Sequence, residues 1–386
     1  MRICHVITRM IIGGAQENTL YTIQGHLEKG HEVTLVTGPT TGPEGKLLQT
    51  FCPKGMEIVE IPELIRSLSP LKDWRAYRKL QKFFEEKHFD VVHTHASKAG
   101  IVGRVAARKA GVPVVVHTVH GQAFHPYQSS LKNKIYIAAE RFAAKYCDRI
   151  YAVAQAMIDQ CVAAGVAPRE KYQVVYSGMD LQSFVNAKRS PELRAKLGIP
   201  EDAPVVGMLA RLFELKGHDC MIAAAPKIVA EIPNVRFLFI GDGILREQFQ
   251  AEIARLGLTE HFVFAGLIPP EQVPAYPAQV DILAHLSLRE GLPRACVQAL
   301  ASGKAVVAYP LDGTPEVVLD GETGLLGEPE NVDQVAANVL RLLQDNDLRE
   351  RLGRRGQQFV LERFDWRKMA DILEESYLEC LRRKGK

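Results

Sequence analysis

The sequence predicts an α/β protein built from two doubly wound, Rossmann-like halves that follow one another along 386 residues. Three observations lead there. Short Val- and Ile-rich runs alternate with longer helical stretches almost from end to end, the pattern of parallel strands covered by helices. The rhythm breaks over Gln182–Pro204, a polar stretch carrying Pro191, Pro200 and Pro204, and restarts at Val205. Glycine-bearing turns follow several of the strand ends. At roughly 100–200 residues per domain the length suits two domains, expected over 1–185 and 200–365.

In the first half, strands are expected over Arg2–Ile7, Glu32–Thr37, Met56–Glu60, Val91–His95, Val114–Thr118, Arg149–Ala154 and Gln173–Tyr176. Helical segments lie over Glu17–Glu28, Asp73–Lys87 and Leu131–Tyr146. The second half offers strands over Val205–Leu209, Val235–Ile240, Phe262–Ala265, Ile282–Leu286 and Ala305–Ala308. Doubly wound sheets bind ligands at the carboxyl ends of their strands, where strand order reverses. With two facing halves, the expected substrate site is the cleft between them.

Composition narrows the class. A hydrophobic fraction of 47% with 24% charged residues is ordinary for a soluble globular chain and excludes general disorder. Lys and Arg number 48 against 45 Asp and Glu, a balance of +3 that is too weak to argue for nucleic acid. No apolar run approaches the roughly 18 residues of a membrane-crossing helix. The start, Met1–Met10, enters a strand pattern at once, so no leader is expected. The seven cysteines (Cys4, Cys52, Cys147, Cys161, Cys220, Cys296, Cys380) are scattered and never form CxxC. They read as buried thiols of a reducing cytoplasm.

Four stretches carry chemistry. Gly13 and Gly14 follow the first strand and precede a helix, where bare N–H groups suit an anion; a plain tight turn is the alternative. Arg211 and Lys216 stand five apart across a short loop at a strand end and can bracket a pyrophosphate; otherwise they are surface cations. Gly241 and Gly243 end the next strand in a turn beside a ligand, with a structural turn as the simpler reading. Glu290, Gly291, Leu292, Pro293 and Arg294 open a helix that runs through Gln298 to about Ser302, with proline well placed at its first turn.

These residues carry a resemblance. Arg211…Lys216-Gly217-His218-Asp219, Phe239-Ile240-Gly241-Asp242-Gly243, Glu290-Gly291-Leu292-Pro293, Gly313-Thr314-Pro315-Glu316 and Asp320–Leu326 resemble the donor half of retaining GT-B glycosyltransferases of family 4. Gly13-Gly14-Ala15, His93-Thr94-His95, His117–Gly121 and Gly178-Met179-Asp180 resemble the acceptor half, so the likeness spans essentially the whole chain. It implies a GT-B architecture with a C-terminal helix, about 366–386, crossing back to the first domain. Arg211 and Lys216 would hold the diphosphate of a nucleotide-sugar, offsetting charge on the leaving group. Glu290 matches the first acid of the Glu-x7-Glu motif, beside the donor sugar, and the backbone of Gly291–Arg294 would meet the sugar hydroxyls or β-phosphate. His120, at a strand end before glycine, matches a histidine that contacts the transferred sugar.

The chain departs from the pattern at position 298, where Gln replaces the second acid that accepts from the ribose hydroxyls. An amide still accepts one hydroxyl and donates to the other, without charge assistance. Gln16 and Ser177 are smaller departures. Of the twelve histidines, His93, His95 and His117 flank strands and are expected to bond backbone carbonyls. The DxD-like triplet Asp345-Asn346-Asp347 sits at a helix end far from the glycine loops; no metal site and no cofactor are expected. Residues 124–146 form a basic amphipathic stretch, expected to be a surface helix, with a membrane surface as the other reading.

The expectation is a retaining glycosyltransferase of hexosyl or N-acetylhexosaminyl type. It would move sugar from a UDP-sugar to a glycan or lipid-linked acceptor, without metal, in the cytoplasm or on the inner face of the membrane. The competing reading is a UDP-sugar 2-epimerase of the same architecture.

Overall fold

The structure is a computed structural model and describes residues 1–40 and 46–385. In the first half, the strands are β1 (Arg2–Ile7), β2 (Glu32–Thr37), β3 (Glu57–Glu60), β4 (Val91–His95), β5 (Val114–Val119), β6 (Arg149–Ala152) and β7 (Tyr172–Val174). Between them run α1 (Gly14–Glu28), α2 (Pro70–Lys87), α3 (Ser97–Lys109), α4 (Ser130–Ala144) and α5 (Gln155–Ala163). The sheet order is β3-β2-β1-β4-β5-β6-β7, every pair parallel. Parallel strands need crossovers, and here helices fill most of them, burying both faces; hence the continuous Val/Ile runs rather than alternation.

Two short helices follow, α6 (Gln182–Asn186) and α7 (Pro191–Lys196). Then come β8 (Val205–Leu209), α8 (His218–Glu231), β9 (Arg236–Ile240), α9 (Arg246–Arg255), β10 (Phe262–Gly266) and β11 (Ile282–His285). The series closes with α10 (Arg294–Ala301), β12 (Ala305–Ala308), β13 (Gly324–Leu326), α11 (Val332–Gln344), α12 (Asn346–Arg363) and α13 (Trp366–Arg382). The second sheet has the order β10-β9-β8-β11-β12-β13, again all parallel. Strand order reverses between β1 and β4 in one sheet and between β8 and β11 in the other, which are the ligand-binding positions of such folds.

The chain divides into two compact units, Met1–Met179 with Trp366–Lys386, and Asp180–Asp365. The last helix belongs to the first unit. Trp366, Met369, Leu373 and Tyr377 of α13 share one core with Ile3 and Ile7 of β1 and Leu20 and Ile23 of α1. Polar contacts fasten it as well: the Tyr151 hydroxyl and the Arg149 guanidinium both donate to Ser376 Oγ, at 2.7 and 2.8 Å.

Several local expectations change. α1 starts at Gly14 rather than Glu17, and β7 is only three residues long. β13 was not foreseen as a strand; it too has three residues and no periodicity to show. The polar stretch after Gln182 is ordered and fastened to the second unit. Arg194, fully buried, donates to the carbonyls of Gln279 and Ala203, at 3.1 and 2.8 Å. Gln279 Oε1 in turn accepts from the Ser190 N–H at 2.9 Å. Of the cysteines, six are buried, but Cys52 is exposed, on the coil after a single 3₁₀ turn where no element covers it.

Candidate active site

In the second unit the functional side chains gather at the carboxyl ends of β8 and β11. The loop after β8 is pressed against β11 by Gly217, whose φ of 77° is left-handed and where a Cβ would stand 2.1 Å from the Leu286 carbonyl oxygen. Only glycine fits. That approach lets Leu288 N–H and Ser287 Oγ both donate to the Leu215 carbonyl, at 2.9 and 3.1 Å. Lys216 is thereby delivered to the opposite strand end. Its ammonium donates to Glu290 Oε1 at 2.6 Å and to Ser287 Oγ at 3.3 Å.

Burial alone would push the Glu290 carboxyl up. The Lys216 ammonium, His285 and the Ser287 hydroxyl outweigh that and hold it below the usual carboxylate range, so it is ionised. His285 Nε2 lies 3.5 Å from Oε1. Burial pushes the His285 ring down, and the nearby Glu290 carboxylate offsets this only in part. The Glu290 backbone N–H donates to Asp312 Oδ2 at 2.8 Å, so a second acid fixes the loop.

The other expected residues divide into groups. Arg211, exposed on the same loop, stacks its guanidinium 4.9 Å above the Phe213 ring. Gly241 and Gly243 lie beneath that loop: added Cβ atoms would stand 2.2 Å from the Ala210 oxygen and 2.3 Å from the Leu212 oxygen. They act by letting the end of β9 touch the Arg211 loop. Gly291, Leu292 and Pro293 lead into α10, Leu292 and Pro293 buried. Arg294 and Gln298 are one turn apart on its half-buried face. His218, beside Lys216 in sequence, is a core residue: it packs on Phe239 and Phe249, and burial pushes it down to about 3.

In the first unit, Gly13 precedes α1 with an extended φ of 177°, and a Cβ there would meet only the flexible end of Gln16. His120 ends β5's extension, half-buried, with Nε2 3.0 Å from His95 Nδ1. The three strand histidines expected to bond backbone carbonyls bond side chains instead, because they lie inside the sheet among one another. His93 pairs with Tyr377 and Thr118, His95 with His5 and His120, and His117 with Thr94. The sequence reading missed His5, His285, Ser287 and Asp312. His285 and Ser287 carried a signal, standing at the carboxyl end of a predicted strand; His5 and Asp312 carried none.

The triplet Asp345-Asn346-Asp347 is a helix start. Asp345 caps α12 by accepting from the Leu348 N–H at 2.9 Å, which occupies it. Among the described residues, His5, His93 and His95 bring ring nitrogens within 4.8 Å of one another, a donor set of a kind that holds cations. Hydrogen bonds to neighbouring imidazoles and hydroxyls already engage those rings.

Two family models match: "Glycosyl transferases group 1" over residues 189–359 and "Glycosyltransferase Family 4" over 12–183. A 2-deoxystreptamine glucosyltransferase of Streptomyces kanamyceticus is 30% identical over 66% of this chain and 68% of its own. The chain belongs to glycosyltransferase family 4. The transferase is also 27% identical, over 99% of its length and 97% of the relative's, to an Escherichia coli UDP-Gal:alpha-D-GlcNAc-diphosphoundecaprenol alpha-1,3-galactosyltransferase. Among solved structures, Anabaena HepE in complex with UDP-glucose superposes with a TM-score of 0.82 at 24% identity, covering 98% of the transferase and all of that chain. The two parallel α/β sheets thus have the GT-B architecture, and the transferase is an enzyme of glycoconjugate synthesis.

Proposed function

We propose that the protein transfers a hexose or N-acetylhexosamine from a UDP-sugar, with retention, to a lipid-linked glycan acceptor. The observation that carries this reading is the end-to-end similarity to the E. coli enzyme, whose name specifies UDP-Gal and a diphosphoundecaprenol-linked acceptor. The donor unit supplies suitable chemistry. An ammonium has three N–H donors, so Lys216 can keep Glu290 and still reach a phosphate oxygen. With Arg211 it offsets the charge that grows on the departing diphosphate. Glu290 and the backbone of Gly291–Arg294 hold the sugar and Gln298 meets the ribose; in the first unit, the bare N–H groups after Gly13 and Gly14 suit an anion and His120 suits a sugar hydroxyl. No protein nucleophile is required: the new bond forms on the face the diphosphate leaves, whose oxygen takes the acceptor proton.

α4 supports a peripheral membrane contact. Leu131, Ile135 and Phe142 are exposed on it, with Lys132 and Lys134 beside them. Among the described residues no helix is long and apolar enough to cross a membrane.

The test is a thermal-shift screen of UDP-galactose, UDP-glucose, UDP-GlcNAc and GDP-mannose, followed by transfer to a GlcNAc-diphospholipid. A ligand at 100 times its Kd stabilises by about 2.7 kcal/mol. Stabilisation by a UDP-sugar and an α-linked product are expected. A shift with GDP-mannose alone overturns the base, and C2 epimerisation of a UDP-sugar without acceptor overturns the reaction.

A further inference from the structure

Glu290 has one strong partner in the resting protein and a second that stands idle beside it. Lys216 Nζ donates to Oε1 at 2.6 Å. His285, the last residue of β11, has its Nε2 3.5 Å from the same oxygen. That is too long for a hydrogen bond, and Nε2 is buried with no hydrogen-bond partner. A sealed polar atom left unpaired calls for a reason. His218, also unpaired, packs on Phe239 and Phe249 and fills the core. His285 instead faces an anion. A lone pair turned to a carboxylate oxygen is repelled and an N–H attracted, so the His285 proton belongs on Nε2.

The arrangement gains a purpose when the nucleotide arrives. In the proposed reaction the Lys216 ammonium is shared between Glu290 and a diphosphate of greater charge, so its hold on Oε1 slackens while the sugar needs a fixed carboxylate. Stranding a buried carboxylate is costly. The Ser287 hydroxyl has a single proton, for which the Leu215 and Arg289 carbonyls compete at 3.1 Å each. His285 Nε2 is uncommitted, and a shortening of roughly 0.7 Å brings it to the ~2.8 Å of a charge-assisted N–H···O bond.

We propose that His285 is a positioning residue: the reserve donor that takes Glu290 Oε1 when the diphosphate draws Lys216, keeping the carboxylate in place for the sugar through transfer. This rests on the reading that Lys216 meets the diphosphate and Glu290 the sugar.

Two-bond ¹H–¹⁵N spectra of ¹⁵N-histidine-labelled protein read the ring directly, with His285→Gln identifying its signals. A proton on Nε2 is expected, moving downfield when saturating UDP supplies the diphosphate without the sugar. A bare Nε2, or a proton that saturating UDP leaves unmoved, overturns the proposal; no UDP binding in calorimetry sinks the donor reading instead. His285→Leu is expected to bind UDP within about twofold of wild type. Its kcat, read as UDP release from UDP-galactose and UDP-glucose, should fall about tenfold or more, since a misplaced group on the order of 1 Å away costs up to about 10²-fold. His285→Gln, whose amide nitrogen can stand near Nε2, is expected to restore most of that rate. In a Glu290→Ala background His285→Leu should cost nothing further, because it acts only through Glu290. A further tenfold loss there, or wild-type kcat in His285→Leu while Glu290→Ala is impaired, overturns the proposal. Wild-type turnover in Glu290→Ala sinks the role of Glu290 itself.

Discussion

Lys216 is placed to do two things, and removing it separates them. Its ammonium neutralises Glu290 in the resting protein and, in the proposed reaction, steadies the departing diphosphate. Lys216→Ala and Arg211→Ala are each expected to lower turnover about 10²-fold, or about 3 kcal/mol in barrier. Near wild-type rates for both at saturating donor would remove them from the diphosphate. The Lys216 variant carries a pH signature as well. Because the Glu290 carboxyl is held below its unfolded value, the pair stabilises the fold above about pH 4.3 and that stabilisation is lost as pH falls through the folded value. Without Lys216 burial pushes the carboxyl back up, so acidification from pH 6 to 4 should cost the variant less stability than it costs the wild type. Gln298 offers the second residue-scale test. Gln298→Glu is expected to keep or tighten binding of free UDP in calorimetry, whereas Gln298→Leu weakens it by roughly 1–3 kcal/mol, leaving the ribose hydroxyls unpaired. Equal affinities for wild type and the Leu variant would take Gln298 away from the ribose.

Between elements, the interaction with most at stake is a buried ion pair. Arg104 on α3 is fully buried, donating through Nε to the Gly100 carbonyl at 2.8 Å and through Nη2 to Glu140 on α4 at 2.6 Å. Breaking such a pair strands a charge, so Arg104→Met is expected to cost about 3–5 kcal/mol in urea unfolding. Arg104→Met with Glu140→Leu should recover most of it, since apolar replacement of both partners is often neutral; no recovery would mean that packing, not charge, is what Arg104 provides. This pair shows why some of the molecule was hidden in its sequence. Strands such as β1, β2, β4, β8 and β12 were legible to the residue, because a buried parallel strand writes itself as a Val/Ile run. β13 was not, being three residues long. Arg211, Lys216 and Glu290 could be picked out from glycine turns and family spacing. That Lys216 and Glu290 touch, 74 residues apart, depends on Gly217 seating one loop against another strand end. The cluster of strand histidines is hidden for the same reason, since His5 and His95 are 90 residues apart and meet through sheet register alone.

At the scale of the whole molecule, two expectations follow from what surrounds the units. In the proposed reaction Lys216 and Arg211 answer the phosphate charge, and the DxD-like triplet is committed to capping α12, so activity in excess EDTA should equal activity without it. Loss restored by Mg²⁺ or Mn²⁺ would contradict this. The apolar outer face of α4 should bring the protein down with anionic vesicles more than with zwitterionic ones, and Ile135→Glu should abolish the difference while leaving turnover of a soluble acceptor intact. Equal sedimentation with both vesicle types would leave α4 a plain surface helix.

The return of α13 to the first unit also sets a timetable for the chain during its synthesis. Residues 180–365 form a contiguous unit and can fold once they clear the ribosome. The first unit is made earlier yet must wait, because Trp366, Leu373 and Tyr377 complete its core and Ser376 answers Tyr151 and Arg149. At about 5–20 residues per second, that wait is on the order of 10–40 seconds. Through it one face of the sheet and His93 stand without their cover, so the part of the protein born first is finished last, and a premature stop before codon 366 would strand the older half rather than the newer.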